Sequence, residues 1–131
     1  MGRVAVVGGI RTPFVKANAE FKNYKTLDLS LHVVQEIFNR TKLTPDMIQE
    51  IQFGTVLLDP AIPNLAREIV LRSKLPKNIS GHFTSNNCIT GLVAANGIYE
   101  GIKSGRIKAG LAGGAESMSM PALTCVSKAQ K

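Results

Sequence analysis

Apolar positions recur along this chain with two different periods, and each period predicts a different element. Leu27, Leu31, Val34 and Phe38 return every three or four residues, with Glu36 and Arg40 outward, which is the stripe of an amphipathic helix. Thr26 is placed to cap that helix, and Asp28 suits its first turn. Thr44-Pro45-Asp46 reads as a cap with proline at the first helical position, starting one short turn. A further helix is predicted after Asn64, with Leu65, Ile69 and Arg72 on one face and Ala66 and Val70 beside it. Residues 88–104 form a long apolar segment carrying Gly91, Gly97 and Gly101. Each glycine costs about 1 kcal/mol relative to alanine in a helix interior. Close approach of neighbouring backbone is the expected compensation, and the segment reads as a buried central helix.

Four short runs predict strands. Val4–Val7 is β-branched and closed by Gly8-Gly9. Ile51-Gln52-Phe53 alternates and runs on to Val56-Leu57-Leu58, with Gly54 as a bulge, and Pro60 and Pro63 end it. His82–Ser85 and the small-residue run Ala109–Gly113 are the third and fourth. Arg11–Lys25, interrupted by Pro13, reads as a loop, and Leu75-Pro76-Lys77-Asn78 as a turn. Strand and helix alternate throughout, so the predicted fold class is α/β: a mainly parallel sheet, about four strands, with three main helices covering both faces. Ligand sites in such sheets lie beyond the carboxyl ends of the strands. Cys88 falls at one such end and the Gly114–Ser119 loop at another.

The length of 131 residues suits one compact domain, and 44% hydrophobic residues suffice for a core. The net charge of +7 raises the question of nucleic acid or an acidic membrane surface. The basic residues are scattered singly, however, and aromatic content is 5%, so base-stacking platforms are scarce. No nucleic-acid partner is expected. Only Ser127–Lys131 is locally basic and polar. No apolar run approaches the ~20 residues of a membrane span. The N-terminus lacks the pattern of a secretory signal, and Val6 stands where a myristoylation motif needs Ser or Thr. The two cysteines make no disulfide framework, and no metal-ligand spacing is present. A reducing setting, cytoplasmic or organelle matrix, follows. Neither Gly8-Gly9 nor Gly113-Gly114 fits a phosphate loop.

Cys88 is the candidate catalytic residue. It stands in Thr84-Ser85-Asn86-Asn87-Cys88-Ile89-Thr90-Gly91, between a strand-like run and a helix-like run. Free N–H groups and the helix dipole at such a junction favour a thiolate, the species that attacks an acyl carbon. A buried structural cysteine is the competing reading. His82 lies six residues earlier, roughly 20 Å away on an extended strand, and reads as strand packing. His32 reads as a packed or exposed helix residue. Cys125, in Ala122-Leu123-Thr124-Cys125-Val126, reads as a structural or incidental thiol. Glu116 reads as a loop-stabilising hydrogen-bond acceptor.

The segment from Asn86 to Gly91, followed by Gly113-Gly114-Ala115-Glu116-Ser117-Met118-Ser119, resembles the thiolases, enzymes that cleave or condense 3-ketoacyl-CoA thioesters. Val4–Val7 running into Arg11-Thr12-Pro13-Phe14 looks like the opening of that family. Asn64-Leu65-Ala66-Arg67-Glu68 is similar to its fatty-acid-oxidation branch. Four motifs in family order imply a thiolase-like layered fold, here an incomplete N-terminal half over residues 1–131, with the C-terminal and loop domains absent. Subunits of that family run to about three times this length.

The resemblance implies an acyltransferase of the acetyl-CoA C-acyltransferase or C-acetyltransferase type, with Cys88 carrying the acyl group as a thioester. Acyl-CoA and CoA are implied as substrates, with no cofactor and no metal. A homodimer or homotetramer is implied for the intact protein, with Arg67 at a subunit contact. The family's activating His, water-holding Asn and second Cys belong to its C-terminal half and have no match here, so this chain alone is expected to be inactive. Where many thiolases have Ala or Ser after the nucleophile, this chain has Ile89 and Thr90, which puts acyl chain length in question. The competing readings are another condensing enzyme of the superfamily, of ketoacyl synthase or hydroxymethylglutaryl-CoA synthase type, and a truncated chain that only occupies a subunit interface.

Overall fold

The helical stripe at Leu27, Leu31, Val34 and Phe38 and the alternation at Ile51 and Phe53 meet in one apolar core, and this meeting organises the molecule. The computed structural model describes residues 3–121. In chain order they form α1 (Thr26–Arg40), a 3₁₀ turn (Pro45–Met47), β1 (Glu50–Gly54), α2 (Leu65–Arg72), β2 (Ser80–Thr84), α3 (Thr90–Lys103) and β3 (Gly110–Gly114). The strands are parallel in the order β2-β1-β3. Glu50 pairs with Ser80 and Gly110, and Gly54 with Thr84 and Gly114.

Alternation along β1 splits the sheet into two faces. Ile51 and Phe53 join the core shared with α1 and α2, where Leu65, Ala66, Ile69 and Val70 are buried. Glu50, Gln52 and Gly54 face α3. A methyl group at Gly97 would collide with the Gln52 side-chain amide, so this glycine lets α3 lie close on the sheet. Gly101 meets Arg106 and Ile107 in the same way, whereas a methyl at Gly91 would meet nothing within 4 Å.

The α/β class with helices on both faces is observed, with three strands among the described residues where about four were expected. Val4–Val7 forms no strand: Val6 and Val7 are 96% and 91% exposed. A strand requires a neighbour for its backbone groups, and no described strand runs beside this segment. Val56–Leu58 does not continue β1 either, because a side-chain carboxylate captures the N–H groups of Val56 and Leu57.

The caps differ in detail. Lys25, not Thr26, is the N-cap of α1, and its N–H donates to the Asp28 carboxylate at 2.9 Å. Thr44 precedes the 3₁₀ turn without a side-chain cap bond. Asn64 caps α2 by accepting from the Arg67 N–H at 2.9 Å. Arg72 turns out to solvent and pairs with Glu68. Helix α3 is not buried all round. Thr90, Ala94, Ile98 and Gly101 face inward, while Leu92 is 72% exposed. Among the described residues no helix is long and apolar enough to cross a membrane.

Candidate active site

Because the three strands are parallel, the loops after β1, β2 and β3 emerge at one end of the sheet. Cys88 lies on the loop after β2, two residues before α3 begins, and it is exposed. It is therefore neither sealed nor mid-element. The loop is a tight turn. Ile89 N–H donates to the Asn86 carbonyl and Thr90 N–H to the Asn87 carbonyl, both at 3.2 Å. Asn87 sits at φ 49°, a left-handed conformation that asparagine tolerates better than most residues. Ile89 is 54% exposed beside the thiol and does not pack into the core.

Thr90 closes the turn. Its hydroxyl accepts from the Asn86 N–H at 2.7 Å and donates to the Asn87 carbonyl at 2.8 Å. Its methyl lies over Gly54, where any side chain would collide with it and with the Thr84 carbonyl oxygen. Glycine at the end of the central strand is thus required for α3 to start where it does. The bulge expected at Gly54 is instead this close approach, in regular register with both neighbours.

The loop after β3 anchors the same end. Glu116 accepts from the Thr55 hydroxyl and the Val56 N–H, each at 2.7 Å, and from the Leu57 N–H at 3.3 Å. The loop-stabilising role expected of Glu116 is what its contacts show. Ser117, buried, donates from its hydroxyl to the Tyr24 carbonyl at 2.6 Å, and its N–H donates to the Thr26 hydroxyl at 3.2 Å. Ser119 accepts from the Asn18 N–H at 2.8 Å. Residues 116–119 therefore tie the N-terminal loop, α1 and the β1 loop to one end of the sheet.

Other candidates lie elsewhere. His82 points to the α3 face from the middle of β2, 3.7 Å from the Glu50 carboxylate. His32 is exposed on α1, where it lines a groove of about 460 Å³ against Ile10 and Pro13. None of the residues lining that groove belongs to the Cys88 loop. Arg67 donates to the Lys77 and Ile79 carbonyls at 3.0 and 3.1 Å, pinning the turn between α2 and β2. Cys125 and Ser127–Lys131 lie outside the described residues.

Sequence reading missed Glu50. It is fully buried at the first position of β1. Arg106 makes a two-point contact with it, and Gln52 donates to it at 2.7 Å. Burial is the largest single influence and pushes its pKa up, but the hydrogen bonds from Arg106 and Gln52 and the charges of His82 and Arg106 outweigh it. The carboxyl is held below its ordinary value of 4.5. The available signal was a lone carboxylate between Ile48 and Ile51 at a strand start. Its partner Arg106 is 56 residues away, beyond any local pattern. This cluster lies at the amino end of the strands, opposite the Cys88 loop.

The fold is thus an α/β domain presenting an exposed cysteine at the carboxyl edge of a parallel sheet. Residues 4–130 match the family model described as the thiolase N-terminal domain. The chain belongs to the thiolase family. It is 42% identical over 118 residues to a 3-ketoacyl-CoA thiolase of Vibrio cholerae, covering 90% of this chain and 27% of that protein. It is 37% identical over 126 residues to a 3-ketoacyl-CoA thiolase of Shewanella denitrificans, covering 96% and 29%. Among solved structures, the Acat5 thiolase of Ascaris suum, in complex with coenzyme A, superposes with a TM-score of 0.84 at 27% identity, covering 92% of this chain and 31% of that one. A Bacillus anthracis acetyl-CoA acetyltransferase shares the fold at a TM-score of 0.79 over 86% and 28%. The chain spans under a third of the length of these relatives.

Proposed function

We propose that these residues are the acyl-accepting part of a 3-ketoacyl-CoA thiolase and that Cys88 is the nucleophile. The observation that carries this reading is the exposed Cys88 held in a tight turn at the entrance to α3. The Cys88 sulfur attacks the thioester carbonyl, the new S–C bond forms, and the bond to CoA sulfur breaks. CoA leaves as its thiol, carrying the proton that Cys88 gives up. In the thiolytic direction the bond broken is carbon–carbon, and the acetyl-CoA carbanion that leaves must be protonated. The resemblance assigns that acid, the base that activates Cys88 and the second oxyanion site to the family's C-terminal half. The Cys88 N–H would serve the first oxyanion site.

The two relatives named 3-ketoacyl-CoA thiolase support that activity for the intact protein, and the fatty-acid-oxidation branch is suggested by the resemblance of Asn64–Glu68. The intact protein would act as a homodimer or homotetramer, in the cytoplasm or an organelle matrix. On this reading the 131-residue chain takes up an acyl group slowly and does not turn over. Incubation with acetyl-CoA should add one acetyl group at Cys88, seen by peptide mass mapping and abolished by Cys88→Ala. Thiolytic turnover of acetoacetyl-CoA by the chain alone at the rate of an intact enzyme would refute the inactive-alone part. An unmodified Cys88 in the intact protein would refute the whole.

A further inference from the structure

We infer that Thr90 is the positioning residue for Cys88: one hydroxyl staples the turn on both sides of the thiol and sets the direction in which the sulfur is presented. This rests on reading Cys88 as the acyl acceptor. Thr90 is buried, with 5% of the residue exposed, although the residues on its N-terminal side, 85–89, are all exposed. Its oxygen is used twice, as acceptor from the Asn86 N–H and donor to the Asn87 carbonyl. Those two residues immediately precede Cys88. Ile89 and Thr90 follow it, so the side-chain bonds close a ring of backbone around the thiol.

The Thr90 hydroxyl cannot swing away freely. A β-branched side chain has few rotamers, and the Thr90 methyl is lodged in the notch left by Gly54. Glycine at 54 and threonine at 90 are thus complementary: the notch fixes the methyl, and the methyl fixes the hydroxyl. The left-handed Asn87 is the element under strain, and a conformation of that kind persists where its surroundings over-determine it. Thr90 supplies two of the hydrogen bonds that do so. Without them the turn gains freedom and the sulfur loses its fixed heading.

Thr90→Val keeps the shape and removes the hydroxyl; Thr90→Ser keeps the hydroxyl and removes the methyl. The full chain is treated with iodoacetamide at fixed pH, and peptide mapping separates Cys88 from Cys125. Thr90→Val should change the Cys88 alkylation rate measurably, because the freed turn alters the surroundings in which the sulfur meets the reagent. Thr90→Ser keeps both hydrogen bonds but loses the methyl that holds the hydroxyl, so its rate should fall between those of the parent chain and Thr90→Val. A purely structural role would instead make both variants differ from the parent in melting temperature and neither in Cys88 reactivity. Should Thr90→Val fail to fold, amide hydrogen exchange in the parent decides. A protected Asn86 N–H supports the staple, and exchange at the free-peptide rate overturns it. Equal alkylation rates for parent and Thr90→Val overturn it too. If the parent takes no acetyl group from acetyl-CoA while the alkylation contrast persists, the positioning role stands and the acyl-acceptor reading fails.

Discussion

The two faces of the sheet are built on different principles. Towards α1 and α2, Ile51 and Phe53 meet Leu65, Ile69 and Val70 in a continuous apolar cluster. Towards α3, the same strand offers Glu50, Gln52 and Gly54. There Ala94 and Ile98 of α3 are buried over glycine and polar positions of the sheet, Gly97 lets the helix come close to Gln52, and the Glu50–Arg106 ion pair lies alongside. Helix α3 also keeps its outer side bare: Leu92 is 72% and Tyr99 42% exposed. The difference separates two tasks. One face stabilises the domain, and the other holds a helix at a set depth so that its entrance meets the carboxyl edge of the sheet.

Breaking the apolar face should have the largest effect. Ile69 is fully buried beside Ala66 and Val70. Ile69→Ala should lose about 2–5 kcal/mol of unfolding free energy, through lost transfer energy and the cavity left behind. Urea denaturation followed by circular dichroism measures this. A loss under about 1 kcal/mol would mean that the α1–α2 face is not the main source of stability. A smaller loss is expected from the cap of the same face. Asn64→Ala orphans the Arg67 N–H and gives up a 3.1 Å bond from the Asn64 side chain to the Gly81 carbonyl. It should cost about 1 kcal/mol, with Asn64→Asp losing less because an acceptor remains.

The contrast between faces also explains which parts were legible in the sequence. The stripe of α1 and the Leu65–Val70 face of α2 announced themselves, because burial against one partner imposes a period. Glu116 was legible through the residues around it, and its bonding agrees with the loop-stabilising role; the placement of Cys88 at the entrance to α3 was legible in the same way. The α3 face gave no such signal. Glu50 and Arg106 come together only through the β1–β3 register, and a polar pair far apart in sequence has no period. Thr90 was visible as a departure from the family pattern, but its role required knowing that Gly54 lies beneath it. Val4–Val7 and Val56–Leu58 show the converse. Strand propensity was present, yet one segment lacked a neighbour and the other gave its N–H groups to Glu116.

The ion pair on the α3 face predicts a pH effect of definite sign. Glu50 has a lowered pKa in the folded chain, so its contribution is present above the ordinary value of 4.5 and is lost as pH falls through the folded value. Half of the Arg106 side chain remains in water, which screens the pair and makes its effect smaller than that of the core. Glu50→Gln should flatten the acid limb of the stability–pH profile and leave the limb above neutrality unchanged. Parallel acid limbs for parent and variant in a chemical-denaturation series would remove Glu50 from the acid response.

The smallest effect on folding is expected on the outer side of α3, where the largest effect on association should lie. Leu92 is exposed, so Leu92→Ser removes almost no buried area and should change unfolding free energy by less than about 0.5 kcal/mol. Leu92 and Tyr99 nevertheless project apolar surface from one helix whose inner side is already committed to the sheet. Apolar surface of that kind lowers its free energy by meeting more of the same. The 131-residue chain should therefore self-associate with rising concentration in light scattering, and Leu92→Ser should shift that onset upward without moving the melting temperature. If Leu92→Ser instead melts early at low concentration, the outer side of α3 belongs to the stabilising half of the molecule and the division between the faces fails.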